Sequence, residues 1–345
     1  MVALEQVVPL IVFRDSKSAP HPCWLTPDLV KRMLDQFIQQ LCEKIDRIRS
    51  RAGASLLSLL RLQPPLPHVP KRELLMQVLQ NESHPTMQVD WKSPAATFPR
   101  LVHLVESEEY TLSAVSGLVI SIGGLSESLV KHSWDALLRL LQKESVSTRL
   151  RVAKALTSTL GTFKGNDRVI IPVFKTAHLF ITNGCLDELD ASDESQTNIP
   201  RDLLLSAQSE MRGSSDVNKL DAGASLVAAL LQFPFAQVRG PSLQTLLAFL
   251  CHKYPRVRRR AAEELYMQVL THEGIVCQER MEETMRVLPE TDWTLPVPEL
   301  KALRDSLYGA FGVERVVVAT TGPKKVAAKP KEDSSYKDFV KEMHY

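Results

Sequence analysis

Residues Thr148–Leu156 read Thr-Arg-Leu-Arg-Val-Ala-Lys-Ala-Leu, and the positions Thr148, Arg149, Val152, Ala155 and Leu156 set a pattern that returns twice along the chain. It returns as Val238, Arg239, Ser242, Thr245 and Leu246, and again as Val257, Arg258, Ala261, Glu264 and Leu265. On a helix the small and apolar members share one face, where a neighbouring helix can come close, while the arginine sits at the edge of that face. A single unit of this kind cannot bury its own apolar face. The expected solution is a stack of helical hairpins, each covering the next.

Composition agrees. Aromatic residues make up only 6% of the 345, and leucine dominates the apolar set, which suits helix-on-helix packing rather than strands. The fold class expected is therefore all-α: an α-solenoid of HEAT or armadillo-like hairpins with a disordered C-terminal tail. Basic residues number 42 against 40 acidic ones, so no general attraction to nucleic acid or to an anionic membrane is indicated. The five cysteines, Cys23, Cys42, Cys185, Cys251 and Cys277, are scattered and odd in number, which reads as reduced, mostly buried thiols without a disulfide framework or zinc site. Val7–Phe13 is too short for a signal peptide and is interrupted by Pro9, and no stretch approaches a membrane span. A cytoplasmic protein is expected, in which the sequon at Asn81 is coincidental.

The start of the first long helix is explicit: Thr26 as N-cap, Pro27 at the first position, then Leu29, Met33, Leu34, Phe37, Ile38, Leu41, Ile45 and Ile48 at helical spacing. That spacing predicts a helix running to about Arg49 and a second from about Ala52 to Leu62, stopped by the proline run from Pro64 to Pro70. Helices follow over Lys71–Gln80 and Phe98–Val105, then regularly from Tyr110 to Thr182. The loop Asp187–Asn198 is expected to be a solvated, flexible excursion, with helices resuming near Arg201 and running to Phe311. The domain reading is an irregular segment over 1–25, the solenoid over 26–313, and a disordered basic tail over 314–345.

No active site is apparent, and the expectation is a non-enzyme with no cofactor. Gly123 and Gly124 end a helix and lack the Gly-Lys-Ser or Gly-Lys-Thr of a phosphate loop. Asp187, Asp190 and Asp193 lack the glycine and terminal glutamate of a calcium loop, although Ser192 or Ser195 nearby could accept a phosphate. Cys251 and His252 are adjacent and so diverge on a helix, and His21, Cys23 and His68 do not make a metal set. The four tryptophans, Trp24, Trp91, Trp134 and Trp293, read as anchors of separate units. The strongest local feature is the basic cluster Lys253, Arg256, Arg258, Arg259 and Arg260 beside His252: either a solvated face paired with Glu263 and Glu264, or the footprint of an acidic partner.

The order of several motifs carries a resemblance. EKIDR over 43–47, PLPHVP over 65–70, Phe98-Pro99-Arg100 after Trp91, GLVISIGGLSES over 117–128, NDRV over 166–169, NGC over 183–185, HKYPRV over 252–257 and Asp292-Trp293 occur in that order. Together they resemble the C-terminal region of the tubulin-specific chaperone D family, the tubulin-folding cofactors D. The resemblance covers the chain to about Val313. It implies a cytoplasmic, cytoskeleton-associated scaffold that holds β-tubulin, works with tubulin cofactors C and E to assemble the αβ-tubulin dimer, stimulates GTP hydrolysis by tubulin, and binds an Arf-like small GTPase. Members of the family are longer, so Met1 is expected to open a fragment or truncated form. The alternative reading is a general helical-repeat adaptor with no tubulin role.

Overall fold

A computed structural model describes residues 6–12, 25–80, 89–189 and 192–314; the C-terminal segment expected to be a disordered tail lies outside the described residues, apart from Glu314. The described chain is helical, in the order α1 (6–12), α2 (Pro27–Leu41), α3 (Asp46–Leu60), α4 (Arg72–Leu79), α5 (Pro94–Leu101), α6 (Glu108–Ile122), α7 (Glu127–Lys143), α8 (Val146–Thr162), α9 (Asp167–Thr182), α10 (Glu194–Met211), α11 (Val217–Ala229), α12 (Ala236–Phe249), α13 (Pro255–Thr271), α14 (Met281–Glu290) and α15 (Val297–Ala310). No sheet is present among the described residues.

Two rows of helices build the fold. In one, α2, α6, α9, α11 and α13 pack each on the next; in the other, α8, α10, α12 and α15 do the same. The hairpins α8–α9, α10–α11 and α12–α13 each give one helix to each row, which is the expected all-α solenoid. Helix α11 lies between α9 and α13 and is buried from Lys219 to Ala229 apart from Ala222, so its face residues had to be small: Gly223, Ala224, Ser225 and Ala228. The row depends on such close approaches. A Cβ on Gly117 of α6 would lie 2.7 Å from the Cβ of Cys42, and one on Gly123 would collide with the backbone of Pro172 in α9. Gly123 does cap α6, as expected, but at a φ of −83° open to any residue. Glycine is needed there for the contact with α9.

The starts of helices follow the sequence signals. Thr26 Oγ1 accepts from the Leu29 N–H at 3.3 Å, and Pro27 occupies N1 of α2. Three expectations need correction. The first long helix does not run to Arg49: the chain turns at Cys42–Ile45 and α3 begins at Asp46, because the Arg49 guanidinium draws the carbonyls of Glu43 and Lys44 into the turn at 2.9 and 3.0 Å. The segment 1–25, expected to be irregular, contains α1, with Val8 and Val12 buried one helical turn apart. The loop 187–198 is not a solvated excursion throughout. Asp193 caps α10 by accepting from the Ser195 N–H at 2.8 Å, and Thr197, Ile199 and Pro200 are buried, so what reads as polar loop is partly a helix's first turn.

The fold also contains an internal duplication. Helices α2, α3 and α4 and helices α12, α13 and α14 begin at a constant offset of 209 residues: 27 and 236, 46 and 255, 72 and 281. At the first hairpin Leu41, Cys42, Lys44, Arg47, Ile48, Arg49, Arg51 and Ala52 match Leu250, Cys251, Lys253, Arg256, Val257, Arg258, Arg260 and Ala261. Each copy ends on the same motif, Asp90-Trp91-x-x-Pro94 and Asp292-Trp293-x-x-Pro296, just before α5 and α15.

Candidate partner-binding surface

The basic cluster forms the turn between α12 and α13 and the first turns of α13. It does not act as one surface. Arg258 is 3% exposed: its Nε donates to the Trp293 carbonyl at 2.7 Å, Nη1 to those of His252 and Lys253 at 2.7 and 3.4 Å, and Nη2 to those of Thr294 and Leu295 at 3.1 and 3.0 Å. This corrects its place in the candidate surface. A planar guanidinium with five donors satisfies carbonyls that the turn and the Trp293 segment would otherwise leave bare inside the protein, so Arg258 is withdrawn from solvent. Arg49 does the same in the other copy, donating to Trp91 and Lys92 at 3.0 and 3.1 Å as well as to the α2–α3 turn.

The arginines of the repeated pattern hold equivalent places. Arg149, Arg239 and Arg258 are each the fourth residue of their helix, as Arg49 is. Arg149 pairs with Glu188 at 2.6 Å and Arg239 donates to the Leu231 carbonyl at 3.3 Å, so the edge position serves to tie a helix to the preceding segment or the next loop.

The rest of the cluster remains at the surface. Arg256 pairs with Asp221 of α11 at 2.6 Å. Arg260 approaches Glu263 and Glu264 only loosely, at 3.8 and 3.7 Å, and Arg259 is exposed with no ion pair among the described residues. The Lys253 ammonium lies 4.7 Å from the centre of the Tyr254 ring, and His252 packs between Phe249 and Tyr254. Burial pushes the His252 imidazole below its ordinary pKa, helped by Lys253 and Arg258. The accessible cationic set is thus Lys253, Arg259 and Arg260, with Arg256 partly engaged.

Other polar groups carry structure. Lys219, buried at the start of α11, is paired with Asp167 at the start of α9 and lies 3.4 Å from Glu210 near the end of α10. Burial pulls its pKa down, but the hydrogen bond and charge of Asp167, with Glu210, outweigh that and hold it up. Nothing in the spacing of these three residues marks them as partners. Cys251 is half-buried with its thiol pKa raised by burial, Cys277 is exposed, and His21 and Cys23 lie outside the described residues. Asp190 does too, while Asp187 and Asp193 face separate partners, Gln232 and the α10 N-terminus.

The duplication gives a signal by which Arg258 could have been placed from sequence. Its counterpart Arg49 holds the same place in the same local sequence, Lys44-x-x-Arg47-Ile48-Arg49 against Lys253-x-x-Arg256-Val257-Arg258. A family model described as tubulin folding cofactor D C terminal matches residues 31–219, more than half of the chain. That span begins in α2 and ends in the first turn of α11. No solved structure matches the chain.

Proposed function

The chain belongs to the tubulin folding cofactor D C-terminal family, and from that premise we propose that it is a non-catalytic scaffold for tubulin folding. It holds β-tubulin on the helical array and presents it to tubulin cofactors C and E during assembly of the αβ dimer. Any stimulation of GTP hydrolysis acts through tubulin's own nucleotide site, ordered by contacts spread over a large surface. An Arf-like small GTPase is a further partner on this reading, and the place of action is the cytoplasm, at the cytoskeleton.

The observation that carries the proposal is that the family match, residues 31–219, covers α2 to α10, whose described residues form stacked helices of the kind that offers extended binding faces. No helix of the described residues is long and apolar enough to cross a membrane.

The test is size-exclusion chromatography of the purified chain with purified tubulin, followed by a GTP hydrolysis assay with and without cofactors C and E. A complex containing β-tubulin is expected, with turnover raised only when tubulin and both cofactors are present. A correctly folded chain that forms no complex with tubulin, alone or with the cofactors, would overturn the proposal in favour of the general adaptor.

A further inference from the structure

We propose that the groove where the C-terminal ends of α9 and α13 meet the α11–α12 turn is a docking site for a basic, apolar peptide segment of a partner protein. The groove encloses about 690 Å³ and includes Leu186, Asp187, Phe233, Phe235, Met267 and Gln268 in its lining. Its lining includes an aromatic pair: the rings of Phe233 and Phe235 stack at 6.0 Å with an interplanar angle of 8°. Met267, 54% exposed on its rim, adds an unbranched, polarisable side chain that can adapt to a ligand, and Leu270, one turn on, is 53% exposed.

The charge of the groove selects the partner. Helices α9 and α13 end there with the negative ends of their dipoles, and no lysine or arginine lines it. Asp187 is the carboxylate of the lining. His272 is held towards its neutral form by burial and then by the nearby Arg239, so it adds little positive charge near neutrality. Of the arginines outside the groove, Arg149 is paired with Glu188, while Arg239 is turned to the Leu231 carbonyl and keeps its charge. An occupant matching all of this sets apolar side chains against Phe233, Phe235 and Met267 and directs a lysine or arginine to Asp187.

This site lies away from the Lys253–Arg260 surface and does not depend on tubulin being the partner. The experiment is fluorescence anisotropy of the full chain with a short labelled peptide of leucine and lysine, and with its counterpart in which glutamate replaces lysine. The lysine peptide is expected to bind and the glutamate peptide not. Asp187→Lys and Met267→Glu should each weaken binding about tenfold or more, equivalent to about 1.4 kcal/mol, whereas Glu299→Lys on the exposed face of α15 should not change it. Met267→Glu alters an exposed side chain and carries the test if Asp187→Lys disturbs the turn at Gly184. Equal binding of both peptides, or unchanged affinity in Met267→Glu at an unaltered melting temperature, would overturn the proposal. Loss of peptide binding with tubulin complexes intact, or the reverse, separates this site from the tubulin-holding function.

Discussion

Arg258 and Arg259 are neighbours of one residue type with opposite fates, and the difference follows from which carbonyls lie within reach. Arg258 sits where five carbonyls converge, so its removal would strand them in the interior; Arg259, one position on, points to solvent. Arg258→Ala is expected to cost about 2–4 kcal/mol of unfolding free energy in urea titration, since each buried carbonyl left bare is expensive. Arg49→Ala should behave alike, which tests the duplication directly. By contrast Arg259→Glu with Arg260→Glu should leave the melting temperature nearly unchanged, because exposed charges contribute little to stability. The same variant should weaken binding of an acidic partner in a salt-dependent way if the cluster is an interface, and unchanged tubulin affinity at low salt would move the contact elsewhere on the array. Reactivity divides the cysteines on similar grounds. Cys42 is fully buried with its thiol pushed up to about 12, while Cys277 is exposed. Alkylation of the native protein near neutral pH, read by mass spectrometry, should modify Cys277 and spare Cys42.

Among the elements, α6 shows best how sequence sets packing. It is apolar or small on nearly every side because α2, α8 and α9 all cover it, and Gly117 and Gly123 mark the two closest approaches. Gly123→Ala is expected to push α6 away from Pro172 at a cost of about 1–3 kcal/mol, measured by chemical denaturation; an unchanged midpoint would mean that the contact relaxes freely. The α10 start makes a complementary case. Replacing 192–198 by a Gly and Ser linker should lower the melting temperature, since it removes the Asp193 cap and the buried Thr197. Much of this was legible beforehand. Thr26 and Pro27, and Pro255, announce helix starts through local chemistry, and the small-residue faces announce the stack. The turn at 42–45 was not legible locally, because Ile45 and Ile48 continue the helical period of α2 and only the carbonyls drawn to Arg49 break it. The first turn of α10 was hidden for the opposite reason: a capped helix start is polar, and its apolar face begins only at Thr197.

For the molecule as a whole, the fold follows from one spacing repeated, while the candidate surface depends on contacts between residues far apart in the chain. Arg258 meets Trp293, and Lys219 meets Asp167, across gaps that no helical period encodes. The same long-range burial sets the pH range in which the array is stable. Burial is the chief cause of lowered pKa values at His178, His252 and His272, each below the ordinary 6.5. These histidines bind protons more readily once the chain unfolds, so their contribution is present above about 6.5 and is lost as pH falls. Cys42 and Cys185 act at the other end. Burial raises their thiols from 9.0 to about 12 and about 11, so the unfolded chain loses protons first and stability falls as pH rises above 9.0. The expected curve of urea midpoint against pH is a plateau between these limits, declining on both sides, with the acid decline flattened in a His178→Gln, His252→Gln, His272→Gln variant that retains native helix content. A midpoint that stays level from about pH 7.5 to about pH 5.5 in the unaltered chain would show that these imidazoles are solvated, and that the ends of α9, α12 and α13 where they sit are looser than the packing of the rows implies.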